Sequence, residues 1–249
     1  MGILEDGLKV IMDSDKSLCT LLDSRFADIL QLLNCYIDEI ELFNGAYSLV
    51  NYTKKDELIV KHILDSLAAL PALLRITGNA QNEKQLCFAD IGSGAGLPGI
   101  PLSIALNKVS FTLIERSGRR ANFLADVSAS LGLNNVEVIQ NDVQKTKAAQ
   151  IKNAPFDLVT FRALRQLDGS FVKTIFGLLK DGGCIAAYKG RAEKIEEELR
   201  MLKCDRSLKC CQGANTSGER LAYSSSVIPI PVPFLDESRH LVVLGKLIL

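Results

Sequence analysis

Four glycines crowd a short stretch of the chain that begins with an apolar run. Residues 86–101 read LCFADIGSGAGLPGIP and contain Gly92, Gly94, Gly96 and Gly99. Glycine lets the backbone take positive φ and approach a ligand closely, because no Cβ stands between them. A helix that follows such a turn aims free N–H groups at a polar or anionic group in it. The stretch therefore predicts a nucleotide-type cofactor site, although similar turns also simply connect strands to helices.

Acidic or amide side chains end three consecutive apolar runs. Asp90 precedes the glycines, Glu115 ends FTLIE, and Asn141 and Asp142 follow VEVIQ. Open α/β sheets bind ligands at the carboxyl ends of their strands, so we expect these groups at one edge. Glu115 is placed to accept hydrogen bonds from both hydroxyls of a ribose, and Asn141 and Asp142 suit an adenine amino group. Each side chain could instead be an ordinary strand-end residue or helix cap.

Two cofactor classes compete for this pattern. A nicotinamide dinucleotide needs a pyrophosphate-binding GxGxxG turn and a second mononucleotide half, whereas the turn here is GSGAG. S-adenosylmethionine has no phosphate, and its sulfonium and amino groups are cationic, so nearby acids suit it better. The residues favour S-adenosylmethionine and leave an NAD-dependent oxidoreductase as a distant alternative.

The elements that must position these residues alternate between strands and helices, which is typical of a parallel sheet wound with helices. The pattern predicts strands at 86–91, 110–114, 136–139, 157–161 and 183–188, and helices at 97–106, 119–131, 171–179 and 192–202. Residues 223–233 and 239–249 are two β-rich runs without room for a crossover helix between them. They predict a closing antiparallel hairpin.

Amphipathic helices precede this alternation. Apolar residues at helical spacing predict a helix over 17–43, a loop over 43–51, a helix over 55–64 and a helical pattern over 62–74 that breaks at Pro71. The polar segment 79–84 predicts a boundary. We therefore expect an N-terminal helical extension, residues 1–80, and a catalytic domain, residues 81–249.

Composition is that of an ordinary globular protein, with 47% hydrophobic and 23% charged residues among 249. Seven cysteines without CxxC spacing predict neither a zinc site nor a disulfide framework, and we expect no metal. No apolar run reaches the roughly 18 residues of a membrane span, and the N-terminus lacks signal-peptide character, so a cytoplasmic location without membrane association is expected.

Charge is unevenly distributed along the chain. Residues 1–75 carry 7 basic and 12 acidic side chains, and the remainder carries 22 basic and 17 acidic ones, so the larger part has room for a basic face.

Five segments together resemble one family. FADIGSGAGLPGIPLSIA, LIERSGRRANFL, FDLVTFRAL, AAYKGR and SRHLVVL are similar to the bacterial ribosomal RNA small subunit methyltransferase G family, also called GidB, across roughly residues 43–243. The resemblance implies a class I methyltransferase: an α/β, Rossmann-like, seven-stranded, mostly parallel sheet with a C-terminal antiparallel hairpin and an N-terminal helical extension. It also implies methyl transfer from S-adenosylmethionine to N7 of one guanosine in 16S rRNA, which leaves S-adenosylhomocysteine.

The same resemblance implies a set of site residues. The cofactor would be bound by Asp90, Gly92, Ser93, Gly94, Gly96, Leu97, Glu115, Arg116, Asn141, Asp142 and Arg162. Arg162 and Lys189 would surround the methyl group and incoming base, while Asn44, His62, Asp65, Arg239 and His240 would approach the substrate. The family usually has YNLT where this chain has YSLV at 47–50, which puts a substrate contact by Ser48 in doubt.

The methyl transfer that the resemblance implies requires the protein to position the guanine and not to move a proton. Guanine N7 carries an in-plane lone pair, so we expect no general base, and we assign Arg162 and Lys189 to substrate positioning. Both could instead be surface cations at strand ends. Arg116, Arg119 and Arg120 could form a phosphate-binding rim or a solvated face.

Three function classes remain open at this point. The leading one is an rRNA methyltransferase that acts, as a monomer, on 16S rRNA, the small subunit or its assembly intermediate. The second is a methyltransferase of the same fold for a protein or small molecule. The third is a non-catalytic ribosome-assembly or cofactor-sensing protein.

Overall fold

A group of N-terminal helices precedes the sheet in the computed structural model, which describes residues 2–78, 85–205, 208–210 and 221–247. The α-helices are α1 (Ile3–Asp13), α2 (Lys16–Leu22), α3 (Phe26–Tyr47), α4 (Lys55–Leu58), α5 (Asp65–Leu67), α6 (Leu70–Ile76), α7 (Gly99–Ala105), α8 (Gly118–Ser130), α9 (Gly169–Phe176) and α10 (Ala192–Cys204). Short 3₁₀ turns cover Asp23–Arg25, Val143–Lys145 and Ala148–Gln150, and a π-helix, Ile59–Leu64, joins α4 to α5. The strands are β1 (Cys87–Ile91), β2 (Ser110–Glu115), β3 (Val136–Gln140), β4 (Phe156–Arg162), β5 (Leu179–Lys189), β6 (Leu208–Cys210), β7 (Leu221–Pro229) and β8 (His240–Lys246).

These strands form one mixed sheet in the order β3-β2-β1-β4-β5-β8-β7-β6. β1 to β5 run parallel, and β8 is antiparallel to both β5 and β7. The predicted seven-stranded, mostly parallel sheet with its closing antiparallel hairpin is thereby confirmed. β6 adds an edge strand, parallel to β7, that the sequence pattern did not predict.

The positions of the first four strands agree with the prediction to within one residue at each end. β5 begins at Leu179, four residues earlier than predicted. Its register against β4 shifts between Phe156 and Leu158, so the polar sequence 180–183 is accommodated as an irregularity inside the strand.

The N-terminal helices differ more from expectation. The predicted helix over 17–43 is two helices, α2 and α3, separated by the 3₁₀ turn, and α3 runs on through Asn44 and Gly45 to Tyr47. The predicted loop over 43–51 is therefore wrong for residues 43–47. Asn44 lies in the last turn of α3, and its side chain hydrogen-bonds forward to the backbone of Leu49 and Val50 and so shapes the chain after the helix. The break expected at Pro71 lies just before it, with Pro71 in the first turn of α6.

The N-terminal helices share a hydrophobic core with one face of the sheet. Leu33 and Ile37 of α3 are fully buried in the same cluster as Phe88 of β1 and Phe111 of β2. A second cluster, which includes Phe161 and Phe171, fills the other face under α9. The division into 1–80 and 81–249 remains a prediction, since the boundary falls at residues outside the described part of the chain.

Arg25 joins the extension to the sheet domain through hydrogen bonds. Its guanidinium donates from Nη1 to the Ala105 carbonyl and from Nη2 to the Ile104 carbonyl, both at 3.1 Å. These are carbonyls of the last turn of α7, which lack intrahelical partners. None of the described helices is long and apolar enough to cross a membrane.

Candidate active site

A cleft of about 840 Å³ opens at the carboxyl ends of β1, β2, β3 and β4. The N-terminal extension supplies one wall through residues 49–51 and His62. Cleft-lining residues that the sequence had singled out are His62, Gly92, Ser93, Gly94, Leu97, Glu115, Arg116, Arg120, Asn141, Asp142 and Arg162. The structure thus brings together, at one edge of the sheet, residues that the chain separates by up to a hundred positions.

The glycine turn needs its glycines for two different reasons. Gly92 and Gly94 have φ of +66° and +59° and line the cleft. A Cβ at Gly94 would meet nothing closer than the Gly92 carbonyl oxygen, at 3.8 Å, so the space beside it belongs to the cleft. Gly96 faces the protein instead: a Cβ there would lie 2.5 Å from Ile100. One side of the turn is therefore open to a ligand and the other is tightly packed.

Glu115 ends β2 with its carboxylate against this turn. Its Oε2 accepts a hydrogen bond from the Gly94 amide at 2.9 Å, and its Oε1 accepts one from the Ser117 amide at 2.8 Å. The residue is 4% exposed. Each oxygen keeps a further lone pair, so the carboxylate can accept two more hydrogen bonds from a ligand in the cleft.

Asn141 and Asp142 form the next part of the cleft wall, after β3. The Asn141 Oδ1 accepts from the Asp142 amide, and the Asp142 Oδ1 accepts from the Gln144 amide and caps a 3₁₀ turn. These local bonds fix both side chains. They leave the Asn141 Nδ2 donors and the Asp142 Oδ2 acceptor without a partner among the described residues, which suits recognition of a polar ligand edge.

Asp90 lies beneath the turn and does not line the cleft. Its Oδ2 accepts from the Gly99 amide at 3.1 Å, and its Oδ1 accepts from the Thr160 hydroxyl at 3.3 Å. Burial raises the pKa of Asp90 to about 7, against these hydrogen bonds, which lower it. The side chain holds the start of α7 against β4 and so supports the turn from inside.

Arg162, the last residue of β4, is held by three groups of the N-terminal extension. Its Nη1 donates to the Asp65 carboxylate at 2.9 Å and to the Lys61 carbonyl at 3.2 Å, and its Nη2 lies 3.0 Å from the His62 Nδ1. A guanidinium has five N–H donors and no acceptor. Three donors are therefore used for positioning, and two remain for a ligand in the cleft.

His62 is fixed in one tautomer by its neighbours. Because Arg162 can only donate, Nδ1 must be the acceptor, and Nε2–H donates to the Asn51 carbonyl at 3.2 Å. Burial, with the adjacent Arg162 charge, lowers the pKa of His62 to about 4. The imidazole is neutral at physiological pH, and both nitrogens are already bound, so it cannot act as a general base here.

Asp65 bridges two arginines from distant parts of the chain. Its Oδ2 pairs with Arg162, and its Oδ1 lies 3.3 Å from the Arg239 Nε, just before β8. Burial raises the pKa of Asp65, and the two guanidiniums oppose that shift. The bridge joins the extension to the ends of β4 and the closing hairpin.

A family model described as GidB, rRNA small subunit methyltransferase G, matches residues 29–217. The chain belongs to this family. The proteins named ribosomal RNA small subunit methyltransferase G from Treponema denticola and Treponema pallidum are 35% and 40% identical to it. The first match covers 98% of this chain and 94% of the relative, and the second covers 89% and 88%. The chain is thus an rRNA methyltransferase, and the dependence on S-adenosylmethionine expected from the sequence follows from that membership.

Solved structures show the same fold at low sequence identity. An O-methyltransferase from Bacillus cereus, solved in complex with S-adenosylhomocysteine, has a TM-score of 0.53 at 15% identity, covering 85% of this chain and 91% of its own. A putative caffeoyl-CoA O-methyltransferase from Staphylococcus aureus has a TM-score of 0.51 at 14% identity, covering 93% and 100%. Together they support the Rossmann-like methyltransferase fold predicted from the sequence.

Several residues predicted to bind substrate lie around the cleft of this methyltransferase but do not line it. The Lys189 Nζ donates to the Glu198 carboxylate at 2.7 Å and to the Arg165 carbonyl at 3.2 Å. The His240 Nδ1 lies 2.6 Å from the Gly190 carbonyl oxygen. These contacts, like those of Asn44 and Arg239, are to protein groups, and none of these four residues lines the cleft.

Other residues that line the cleft of the methyltransferase were not predicted from the sequence. Leu164, Arg165 and Phe171 contribute from the segment after β4. Ala163 takes φ of +53°, an unusual value for a residue with a Cβ, and turns the chain so that the Leu164 side chain lies against Gly92. The motif FDLVTFRAL marks this segment, but no local pattern reveals that an alanine there adopts a left-handed conformation.

The neutral state of His62 predicts a pH dependence of stability. The folded pKa, about 4, lies below the ordinary value of 6.5, so the unfolded chain binds more protons between these pH values. The stabilising contribution is present above about pH 6.5 and is lost as the pH falls toward 4. After allowance for solvent screening of this partly exposed side chain, we expect the loss to be about 1 kcal/mol between pH 7 and pH 5.

Urea unfolding of the wild type and of His62→Gln at both pH values measures this contribution. Gln cannot titrate, so the free energy of unfolding should fall less in the variant than in the wild type. An equal fall in both proteins would show that His62 is not the group responsible.

Proposed function

We propose that this protein transfers a methyl group from S-adenosylmethionine to N7 of one guanosine in the 16S rRNA of the small ribosomal subunit. One observation supports this proposal most strongly: the same cleft contains a glycine turn whose Gly94 amide binds the Glu115 carboxylate, and an arginine, Arg162, with two N–H donors still free for a ligand. The turn suits the cofactor and the arginine suits the base. Family membership supports both assignments.

The Glu115 contact favours this cofactor over a dinucleotide. A pyrophosphate site depends on free N–H groups at the glycine turn. Here the Gly94 amide donates to the Glu115 carboxylate, so the turn presents negative charge where a phosphate would have to lie. A cationic, phosphate-free ligand with a ribose meets no such conflict. We propose that Glu115 accepts hydrogen bonds from the ribose, and that Asn141 and Asp142 contact the adenine.

When bound, S-adenosylmethionine supplies an electrophilic methyl group on a sulfonium. Guanine N7 already has the lone pair that attacks it, so the protein has no proton to remove, which agrees with the fully engaged His62. The remaining work is to orient the base and exclude water. Arg162 can donate to guanine O6 or to a phosphate while N7 stays free.

Lys189 has a different part in this proposal from Arg162. The Glu198 Oε2 that pairs with Lys189 also accepts from the Leu167 amide, at 3.1 Å. Lys189 therefore connects the end of β5 to α10 and to the segment that follows β4. We propose that it positions the Ala163–Leu164 wall of the cleft. We further propose that the enzyme acts in the cytoplasm and as a monomer.

Methylation of small ribosomal subunits tests the function directly. Subunits from a strain that lacks the modification would be incubated with the protein and labelled S-adenosylmethionine, and the labelled nucleotide mapped by mass spectrometry of nuclease fragments. We expect one 7-methylguanosine in 16S rRNA. Parallel reactions with naked 16S rRNA and an assembly intermediate identify the preferred substrate form.

The other outcomes of that experiment correspond to the alternative functions. Label on a ribosomal protein would mean a protein methyltransferase, and label at another position of guanine would overturn the N7 assignment. Binding of S-adenosylhomocysteine without any methyl transfer would favour a non-catalytic assembly or cofactor-sensing protein.

A substitution at Gly94 tests the cofactor assignment. The added methyl group of Gly94→Ala would project into the cleft, so we expect S-adenosylhomocysteine to bind at least about tenfold more weakly by calorimetry, with NADH failing to bind either protein. Gly132→Ala is a matched control, because Gly132 has φ of +63° and no atom within 4 Å of its added Cβ. Both variants should lose about 1 kcal/mol of stability from the positive φ. Unchanged affinity in Gly94→Ala would remove the turn from the cofactor site.

A conservative change at Arg162 tests the substrate assignment. Arg162→Lys keeps the charge but cannot reach Asp65, Lys61 and His62 together, so the cation loses its fixed direction. We expect the rate of methyl transfer to 16S rRNA to fall at least about tenfold. Arg191→Lys, at an exposed position that does not line the cleft, serves as the control. Normal turnover with reduced thermal stability in Arg162→Lys would indicate a structural role only.

A further inference from the structure

The hydroxyl of Tyr36 reaches from the N-terminal extension to the back of the glycine turn. Tyr36 lies in the middle of α3 and is completely buried, and its hydroxyl donates to the Ala95 carbonyl at 2.7 Å. Ala95 lines the cleft, whereas Tyr36 does not. A residue fifty-nine positions earlier in the chain therefore holds a cleft-lining part of the turn.

The turn has little intrinsic preference for its own conformation. Ala95 stands between Gly94, with φ of +59°, and Gly96, with φ of +95°, and glycine populates many other conformations about equally well. Within the turn, the Gly96 amide donates to the Ser93 carbonyl at 2.7 Å. The Ala95 carbonyl belongs to the peptide plane between Ala95 and Gly96, so a bond to this oxygen fixes how that plane is rotated.

The two faces of the turn are held by two different side chains. On the cleft side, Glu115 accepts from the Gly94 amide, and on the buried side Tyr36 donates to the carbonyl of the following residue, Ala95. The fit on the buried side is tight, because a Cβ at Gly96 would lie 3.2 Å from the Tyr36 hydroxyl oxygen. Burial raises the pKa of Tyr36 well above its ordinary value, so the hydroxyl stays a donor at every pH at which the enzyme would work.

We propose that Tyr36 is a positioning residue for the cofactor: through the Ala95 carbonyl it sets the glycine turn in the conformation that binds S-adenosylmethionine. The inference rests on the proposed function, since it concerns the same cleft. It assigns to the N-terminal extension a part in cofactor affinity in addition to its contacts with Arg162. No contact between Tyr36 and the cofactor is involved.

Tyr36→Phe removes the hydroxyl and leaves the ring in place. We expect the Kd for S-adenosylhomocysteine, measured by calorimetry, to rise about tenfold, the factor that corresponds to the loss of one hydrogen bond. The KM for S-adenosylmethionine should rise with it, while kcat at saturating cofactor stays within about twofold, because the turn is re-formed once the ligand is bound. Amide hydrogen exchange at Gly94 and Gly96 should become faster in the free variant.

Tyr188→Phe is the matched control. Tyr188 is also buried, and its hydroxyl donates to a backbone carbonyl, that of Ser66, at 2.9 Å, but it lies outside the cleft and the turn. Both variants should show a similar reduction in the urea midpoint, and only Tyr36→Phe should bind S-adenosylhomocysteine more weakly.

Each remaining outcome has a definite meaning. Unchanged affinity in a folded Tyr36→Phe variant, or equal weakening in both variants, would overturn the inference and leave the proposed function standing. Failure of the wild type to bind S-adenosylhomocysteine would overturn the cofactor assignment, and the inference about Tyr36 with it.

Discussion

Asp65 lies almost completely inside the protein, between the guanidinium groups of Arg162 and Arg239. A carboxylate removed from water in this way is strongly destabilising unless charged partners surround it. The extension supplies the carboxylate, Asp65. The end of β4 supplies Arg162, and the closing hairpin supplies Arg239. The three segments therefore meet at one buried carboxylate, and separating β4 or the hairpin from the extension would remove one of its two charged partners. The position of Arg162 at the cleft depends on this constraint.

A fixed arginine is worth more to methyl transfer than a free one. In the proposed transfer to guanine N7, the attack requires alignment and no proton transfer, so the protein contributes mainly by holding donors where the base will lie. Three N–H donors of Arg162 bind Asp65, Lys61 and His62. Because these bonds fix the plane of the guanidinium, they also fix the direction of its other two donors. The neutral His62 completes the arrangement, because a protonated imidazole would repel the guanidinium beside it.

The sequence predicted those features that depend on local pattern. Alternating apolar runs located β1 to β4, and the glycines with Glu115, Asn141 and Asp142 located the cleft. It could not predict the features that depend on distant partners. Lys189 pairs with Glu198 and does not line the cleft, Asp90 lies under the turn because the Gly99 amide and Thr160 lie there too, and Tyr36 looks like any buried aromatic of an amphipathic helix. In each case the side chain's role is decided by a group that the chain brings near only after folding.

The same contacts explain part of the uneven distribution of charge along the chain. The extension is acidic and the remainder is basic, yet part of that opposition is used internally, since Asp65 of the extension pairs with both Arg162 and Arg239. Arg116 and Arg120, at the start of α8, line the cleft beside Glu115 and have no ion-pair partner among the described residues. Arg120 instead donates to the Ser48 carbonyl, at 3.4 Å, which keeps its charge available at the rim. The internal pairs thus orient Arg162, for which we propose contact with the base, and the unpaired cations at the rim of the cleft offer positive charge that suits the phosphates of an RNA.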